Sequence, residues 1–128
     1  MKEDYHQTQF VTRLEGASSP DHFFIIPAHN PFGKVTSDET NDENNTLLLE
    51  AIEASKWNSF PVTGQCEKHA EAGYGIKCSR AEAIVLGKQF RQDAIYGICN
   101  DQVVLVDCQN IEADKVIGTW SKLQAPTS

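Results

Sequence analysis

"HFFIIPAHNPFGKVTSDETNDENNTLLLEAI", residues 22–52, decides how this chain is read. Its first five residues, His22-Phe-Phe-Ile-Ile26, are almost unbroken apolar sequence. A run that short reads as a buried strand at the centre of a sheet, with helices covering a face. Pro27 and Pro31 stop it, because proline removes a backbone donor, and Gly33 permits a reversal. Two overlapping capping boxes follow, Thr36-Ser-Asp-Glu39 and Thr40-Asn-Asp-Glu43. In each, a hydroxyl accepts from a backbone N–H and the glutamate reaches back to another, so a helix starts here. Leu47, Leu48, Ala51, Ile52 and Ser55 then recur at helical spacing, which predicts an amphipathic helix of about four turns.

Working outward, Tyr5 to Leu14 is β-rich and ends in the turn Gly16-Ala-Ser-Ser-Pro20. Downstream, Trp57 to Thr63 reads as a strand that Pro61 moves towards a sheet edge, and Gly64 to Gly73 as a loop. Tyr74, Ile76 and Cys78 alternate as a short strand. Ser79-Arg-Ala-Glu82 is a third capping box, opening a helix through Phe90 with Ala83, Leu86 and Phe90 facing inward. Ala94–Cys99 and Gln102–Val106 flank Asn100-Asp101, a two-residue hairpin signal. Ala113, Val116, Ile117, Trp120 and Leu123 recur at helical spacing, so a short C-terminal helix is expected before a tail from Gln124.

From Phe23 the order is strand, helix, strand, strand, helix, strand. The expected fold class is α+β, a ferredoxin-like split βαβ core (β-α-β-β-α-β) with an added strand at each end and the short C-terminal helix. Such a sheet is rich in antiparallel pairs, with two helices on one face. Residues 1–128 are read as a single domain, with the core over 23–106 and the C-terminal helix and tail over 109–128.

Composition narrows the partners. Forty per cent hydrophobic residues and 23% charged are ordinary for a soluble globular chain, and no apolar run approaches the roughly 20 residues of a membrane span. A net charge of -7, with 11 Lys and Arg spread along the chain, argues against nucleic acid, whose phosphates need clustered cations. It would instead attract a basic protein surface, or simply keep the chain in solution. Met1-Lys-Glu-Asp-Tyr-His6 is too polar for a signal peptide, so a cytoplasmic location is expected. Cys66, Cys78, Cys99 and Cys108 show no disulfide-framework spacing and are read as reduced thiols.

The topology carries a geometric expectation. If the Phe23 strand runs upward, its end (His29, Asn30), the start of the first helix, the 64–73 loop and the end of the second helix (Arg91, Gln92) share one rim. In the first helix Asn41, Asn45, Leu48 and Ile52 lie on one stripe towards the sheet. Amides there need partners, from the protein or from a ligand, because an unsatisfied one costs about 1–3 kcal/mol. The helix N-terminus offers N–H groups to an anion, but Asp38, Glu39, Asp42 and Glu43 oppose it.

These residues carry a likeness: His29-Asn-Pro31, Asn45 among its leucines, Glu71 to Gly75 before a strand, and Phe90-Arg-Gln-Asp-Ala94 before another. Over roughly Phe23 to Val106 the chain resembles the bacterial family catalogued as domain of unknown function 3293. It departs from that family's pattern with Pro27 where Thr is usual and Asp93 between Gln92 and Ala94. The family has no established activity, so the resemblance marks Asn30, Asn45, Glu71 and Gln92 and implies no reaction.

Known chemistries fit less well. A calcium loop begun at Asp38 has Glu43 in place of the turn glycine and Leu49 in place of the bidentate glutamate, and helix capping explains the same residues. Cys66, His69 and Cys78 lack the paired knuckles of a structural zinc site. Cys66, His69 and Glu71 have residue types suited to a nucleophile, but the spacing sets no triad and marks no oxyanion hole. Nucleotide-binding glycine patterns are absent, and no cofactor or metal is expected. The expectation is a noncatalytic binding or regulatory module whose rim, His29, Asn30, Asn45, Glu71, Arg91 and Gln92, holds a small polar ligand or a partner's peptide. The alternatives are an acidic inhibitor or immunity-type protein that masks a basic protein surface, and a small enzyme using Cys66, His69 and Glu71.

Overall fold

In the computed structural model the described residues are 9–12, 22–27, 37–66, 69–109 and 114–123. Their elements, in chain order, are β1 (Gln9–Thr12), β2 (His22–Pro27), α1 (Asp38–Ala54), β3 (Ser59–Cys66), β4 (His69–Ile76), α2 (Arg80–Gln89), β5 (Ala94–Cys99), β6 (Gln102–Asp107), β7 (Lys115–Thr119) and α3 (Trp120–Leu123). The strands form one seven-stranded sheet in the order β1-β3-β4-β2-β5-β6-β7. Every neighbouring pair is antiparallel. The fold class is therefore α+β, with two long helices and an antiparallel sheet.

The apolar run that opened the reading lies at the middle of this sheet, between β4 and β5. Its side chains alternate between two cores, because successive strand residues point to opposite faces. Phe24 and Ile26 pack on the helix side with Leu48 and Ile52 of α1, Ala83 and Leu86 of α2, and Ile95. Phe23 and Ile25 face the other way, into a layer with Phe10, Phe60, Val62, Tyr96, Leu105 and Trp120. A flat sheet of seven strands about 4.8 Å apart would hold its outer strands roughly 29 Å from each other. Yet the ring of Phe10, on β1, lies 5.4 Å from that of Trp120, which follows β7. The sheet is thus curled, and its concave side is filled with aromatic side chains meeting largely edge to face.

The helix boundaries follow from local chemistry. In α2 both halves of the capping box form: Glu82 N–H donates to Ser79 Oγ and Ser79 N–H to Glu82 Oε1. In α1 the cap is Ser37, whose Oγ accepts from Thr40 N–H, and not Thr36 or Thr40 as the two overlapping boxes suggested. Both helices stop in the same way. Lys56 and Arg91 sit in the left-handed region, at φ 60 and 57°. Their N–H groups donate to Glu53 and Lys88, and the next residues, Trp57 and Gln92, donate to Ile52 and Gly87. This is the Schellman arrangement, here with a basic residue where glycine is usual.

Three expectations are corrected. Residues 64–66 and 69–73 are strand and not loop: β3 and β4 pair from Ser59↔Ile76 to Cys66↔His69. Gly73, at the end of the expected loop, and Gly75, in the expected strand after it, serve close packing within β4. A Cβ at Gly73 would lie 2.4 Å from the Ile26 carbonyl oxygen, and one at Gly75 would lie 2.4 Å from the Phe60 ring. Next, β3 is not an edge strand, since β1 covers Val62 to Gln65; Pro61 lies just beyond the paired stretch. Finally, the C-terminal helix is only α3, because residues 115–119 form β7. Val116, Ile117 and Thr119 are β-branched, and β6 offers them an open ladder, so tertiary pairing overrides the helical spacing. The hairpin at Asn100-Asp101 forms as expected, with both residues at positive φ, 48 and 72°.

Candidate functional site

The ladder registers fix which ends of the elements meet. Pro27, the last residue of β2, pairs with Gly73, and β4 begins beyond it, where His69 pairs with Cys66. Helix α1, with 17 residues and roughly 25 Å of length, ends where it joins β3, so its start lies at the opposite edge, towards the end of β2. Helix α2 climbs to the same edge and delivers residues 90–93 there before β5 descends.

On α1 the inward stripe is Asn41, Asn45, Leu48 and Ile52. Leu48 and Ile52 are fully buried and Asn41 is 6% exposed. Asn45 is half-buried, and its Oδ1 is sealed from solvent with no hydrogen-bond partner among the described residues. A buried carbonyl oxygen without a donor is rare in folded proteins, because the lost hydration is not replaced. The field around it is negative. Asp38 and Glu39 occupy the first turn, Asp42 and Glu43 follow, and no base lies in the last turn. On the exposed side of the same helix, Glu39, Asp42, Glu43, Thr46 and Leu47 line a shallow groove in which Leu47 is 53% exposed.

The other expected rim residues are placed as follows. Glu71 is half-buried on β4, opposite Gly64 of β3. Arg91 is exposed, and its backbone is the left-handed residue that ends α2. Gln92 is 4% exposed; its N–H donates to Gly87 O at 2.8 Å and its Nε2 to Phe90 O at 3.2 Å, so it ties off the helix end. His29 and Asn30 lie outside the described residues. Cys66 and His69 are the last pair of the β3–β4 ladder, and their side chains also lie outside the described set. Among the described residues no three His, Cys, Asp or Glu side chains converge as metal ligands.

Of the remaining thiols Cys99 is exposed, Cys78 half-buried and Cys108 buried. Burial pushes Cys78 up to about 11, helped by the charge of Glu82. Cys108, fully buried on the helix side, is pushed up to about 11 by burial and then by Asp107. Among the described residues Cys78, Cys99 and Cys108 are unpaired.

Two ion contacts escaped the sequence reading. Arg80, at the start of α2, forms a two-pronged pair with Asp114, its Nη2 donating to Oδ1 at 2.7 Å. Asp101 accepts from Ser121, 20 residues on. Separations this long leave no local signature in a sequence.

The fold and rim define a small α+β domain with an antiparallel sheet and a polar edge fed by both helices. Over residues 26–95, more than half its length, the chain matches the family described as Protein of unknown function (DUF3293), and it belongs to that family. The matched stretch runs from the end of β2 to the start of β5, so it contains both helices, Asn45, Glu71, Arg91 and Gln92. No curated protein and no solved structure matches the chain. No helix among the described residues is long and apolar enough to cross a membrane.

Proposed function

We propose that this chain is a noncatalytic binding or regulatory module whose polar rim receives a small polar ligand or a peptide. The observation that carries the reading is Asn45, whose buried Oδ1 lacks a donor among the described residues. A helix position facing a core would be more stable as leucine, so an amide kept there without a partner is the signature of a site that gives up stability for recognition. Glu71, Arg91 and Gln92 reach the same edge, and His29 and Asn30 belong to the segment leading from β2 to α1. The strand order β3-β4-β2-β5, all antiparallel, supports the ferredoxin-like split βαβ reading of the core. The unpaired cysteines suit a reducing compartment such as the cytoplasm.

Amide spectra recorded while titrating acetamide, methylguanidinium and acetate test the reading. At least one probe shifts the Asn45 side-chain resonances in the natural sequence, and that response disappears in Asn45→Leu. Absence of any shift, or one that persists in the variant, overturns it.

A second reading is favoured by the groove along α1. Its three carboxylates and the exposed Leu47 suit a basic, partly apolar protein surface, as an acidic inhibitor or immunity-type protein would require. Under this reading Glu39→Lys with Glu43→Lys removes salt-sensitive association with a basic partner and leaves probe binding at Asn45 unchanged. The enzyme reading, through Cys66, His69 and Glu71, is supported only by the backbone pairing of the first two.

A further inference from the structure

We infer that β7 and α3 form a strap that latches over the concave side of the curled sheet through one residue, Asp101, and opens as a unit while the other strands stay paired. Asp101 is the second residue of the β5–β6 turn. Its carbonyl accepts from Trp120 N–H at 2.6 Å, its Oδ1 from Ser121 N–H at 2.9 Å and its Oδ2 from Ser121 Oγ at 2.8 Å. The tip of one hairpin is therefore the N-terminal cap of a helix that begins 19 residues later. What the cap holds in place is Trp120, 6% exposed, with its ring 5.4 Å from Phe10 and 5.3 Å from Phe23.

The rest of the strap holds on by Ile117 and Leu123, which are only partly buried against the same aromatic layer, and by a single ladder. Strand β7 is at the end of the sheet order, joined to β6 alone, and its ladder shifts register between Val103 and Val104. Ile117 is the extra residue there, skipped between Gly118 and Val116, and Gly118 beside it sits at φ 157°. Val116 is 54% exposed. At the far end the Arg80–Asp114 pair is two-pronged but partly exposed, so solvent weakens it. Strands β2 and β5, in contrast, are paired on both sides. Elements with one sheet neighbour open at lower free energy than central strands paired on both sides. Opening uncovers the faces of Phe10 and Phe23 that Trp120 covers.

Native-state hydrogen exchange on the full chain, in the regime where exchange reports equilibrium opening, tests this with two variants. Asp101→Gly removes the carboxylate but keeps a favoured Asn-Gly turn. Ile95→Val loosens the helix-side core, away from the strap. In the natural sequence, protected amides of residues 116–121 exchange at least tenfold faster than those of Tyr96 and Ile98, with a smaller denaturant slope. Asp101→Gly speeds strap exchange about tenfold. Ile95→Val speeds Tyr96 and Ile98 but leaves the strap unchanged, since that contact survives in the open form. Equal exchange and slope for strap and β5 in the natural sequence overturns the inference, as does equal acceleration of both by Ile95→Val. So does a strap insensitive to Asp101→Gly. If that variant does not fold, Ser121→Ala, which deletes a single bond to the same carboxylate, gives about threefold acceleration, and no acceleration counts against the latch.

Discussion

Replacing Asn45 by leucine tests both the site and the energetics behind it. Leucine has nearly the shape of asparagine, and Asn45 lies on the α1 stripe with Leu48 and Ile52, which are fully buried. The substitution removes a sealed oxygen with no donor among the described residues, a defect worth about 1–3 kcal/mol. Leucine also has a higher helix propensity than asparagine, by a few tenths of a kcal/mol. The expected gain is therefore about 1–3 kcal/mol. With a urea slope of about 1.5 kcal/mol/M for a chain of this size, the midpoint rises by roughly 0.7–2 M at unchanged slope. Asn41, one turn earlier, is the control. It is 6% exposed and has a polar contact of its own, so Asn41→Leu lowers the midpoint by a similar amount. Urea unfolding followed by tryptophan fluorescence and by circular dichroism reads both variants. A lower midpoint for Asn45→Leu would mean that Oδ1 has a donor after all, and the argument that it is reserved for a ligand would collapse.

Three further outcomes follow from the packing and the titrating groups. Gly75→Ala puts a methyl 2.4 Å from the Phe60 ring and costs about 1–3 kcal/mol; Phe60→Leu in the same chain recovers part of that loss, and no recovery in the urea midpoint would place the strain elsewhere. Arg91→Gly relieves a left-handed residue at φ 57° and raises stability by up to about 1 kcal/mol. If it also abolishes probe binding at Asn45, the Arg91 side chain belongs to the site as well as to the helix stop. Cys78 and Cys108 keep their protons in the folded chain until about pH 11, whereas unfolded thiols ionise near 9. The folded pKa is raised, so the contribution of these thiols to stability is constant below about pH 9 and falls as pH rises from there towards 11. Urea midpoints across that range, compared with those of Cys108→Ala, show a shallower fall in the variant.

The elements with local causes were readable from residue order. Pro27 is the last residue of β2, a serine–glutamate box starts α2, and Asn100-Asp101 turns a hairpin, while Pro31 and Gly33 lie outside the described residues. Each depends on contacts within four residues, and each is where the sequence predicts it. Asn41 and Asn45 were likewise readable as inward amides, since helical spacing alone puts them on the stripe of Leu48 and Ile52.

What residue order did not reveal depends on contacts far apart in the chain. The strand residues 64–66 and 69–73 were hidden because Gly73 answers to Ile26, on another segment. Strand β7 was hidden because a helical spacing of apolar residues gave way to the free edge of β6. Which of the two inward asparagines has a partner, and which keeps a bare oxygen, was also beyond the sequence, because a hydrogen bond needs a donor at a set distance and angle. The sequence by itself determined that this is an acidic α+β chain with two capped helices and an apolar central strand. Tertiary structure decided that the sheet curls until Phe10 meets Trp120, that Asp101 clasps α3, and that the Asn45 Oδ1 is sealed without a donor among the described residues. Those features are fixed by packing between distant segments, and periodicity carries no information about them.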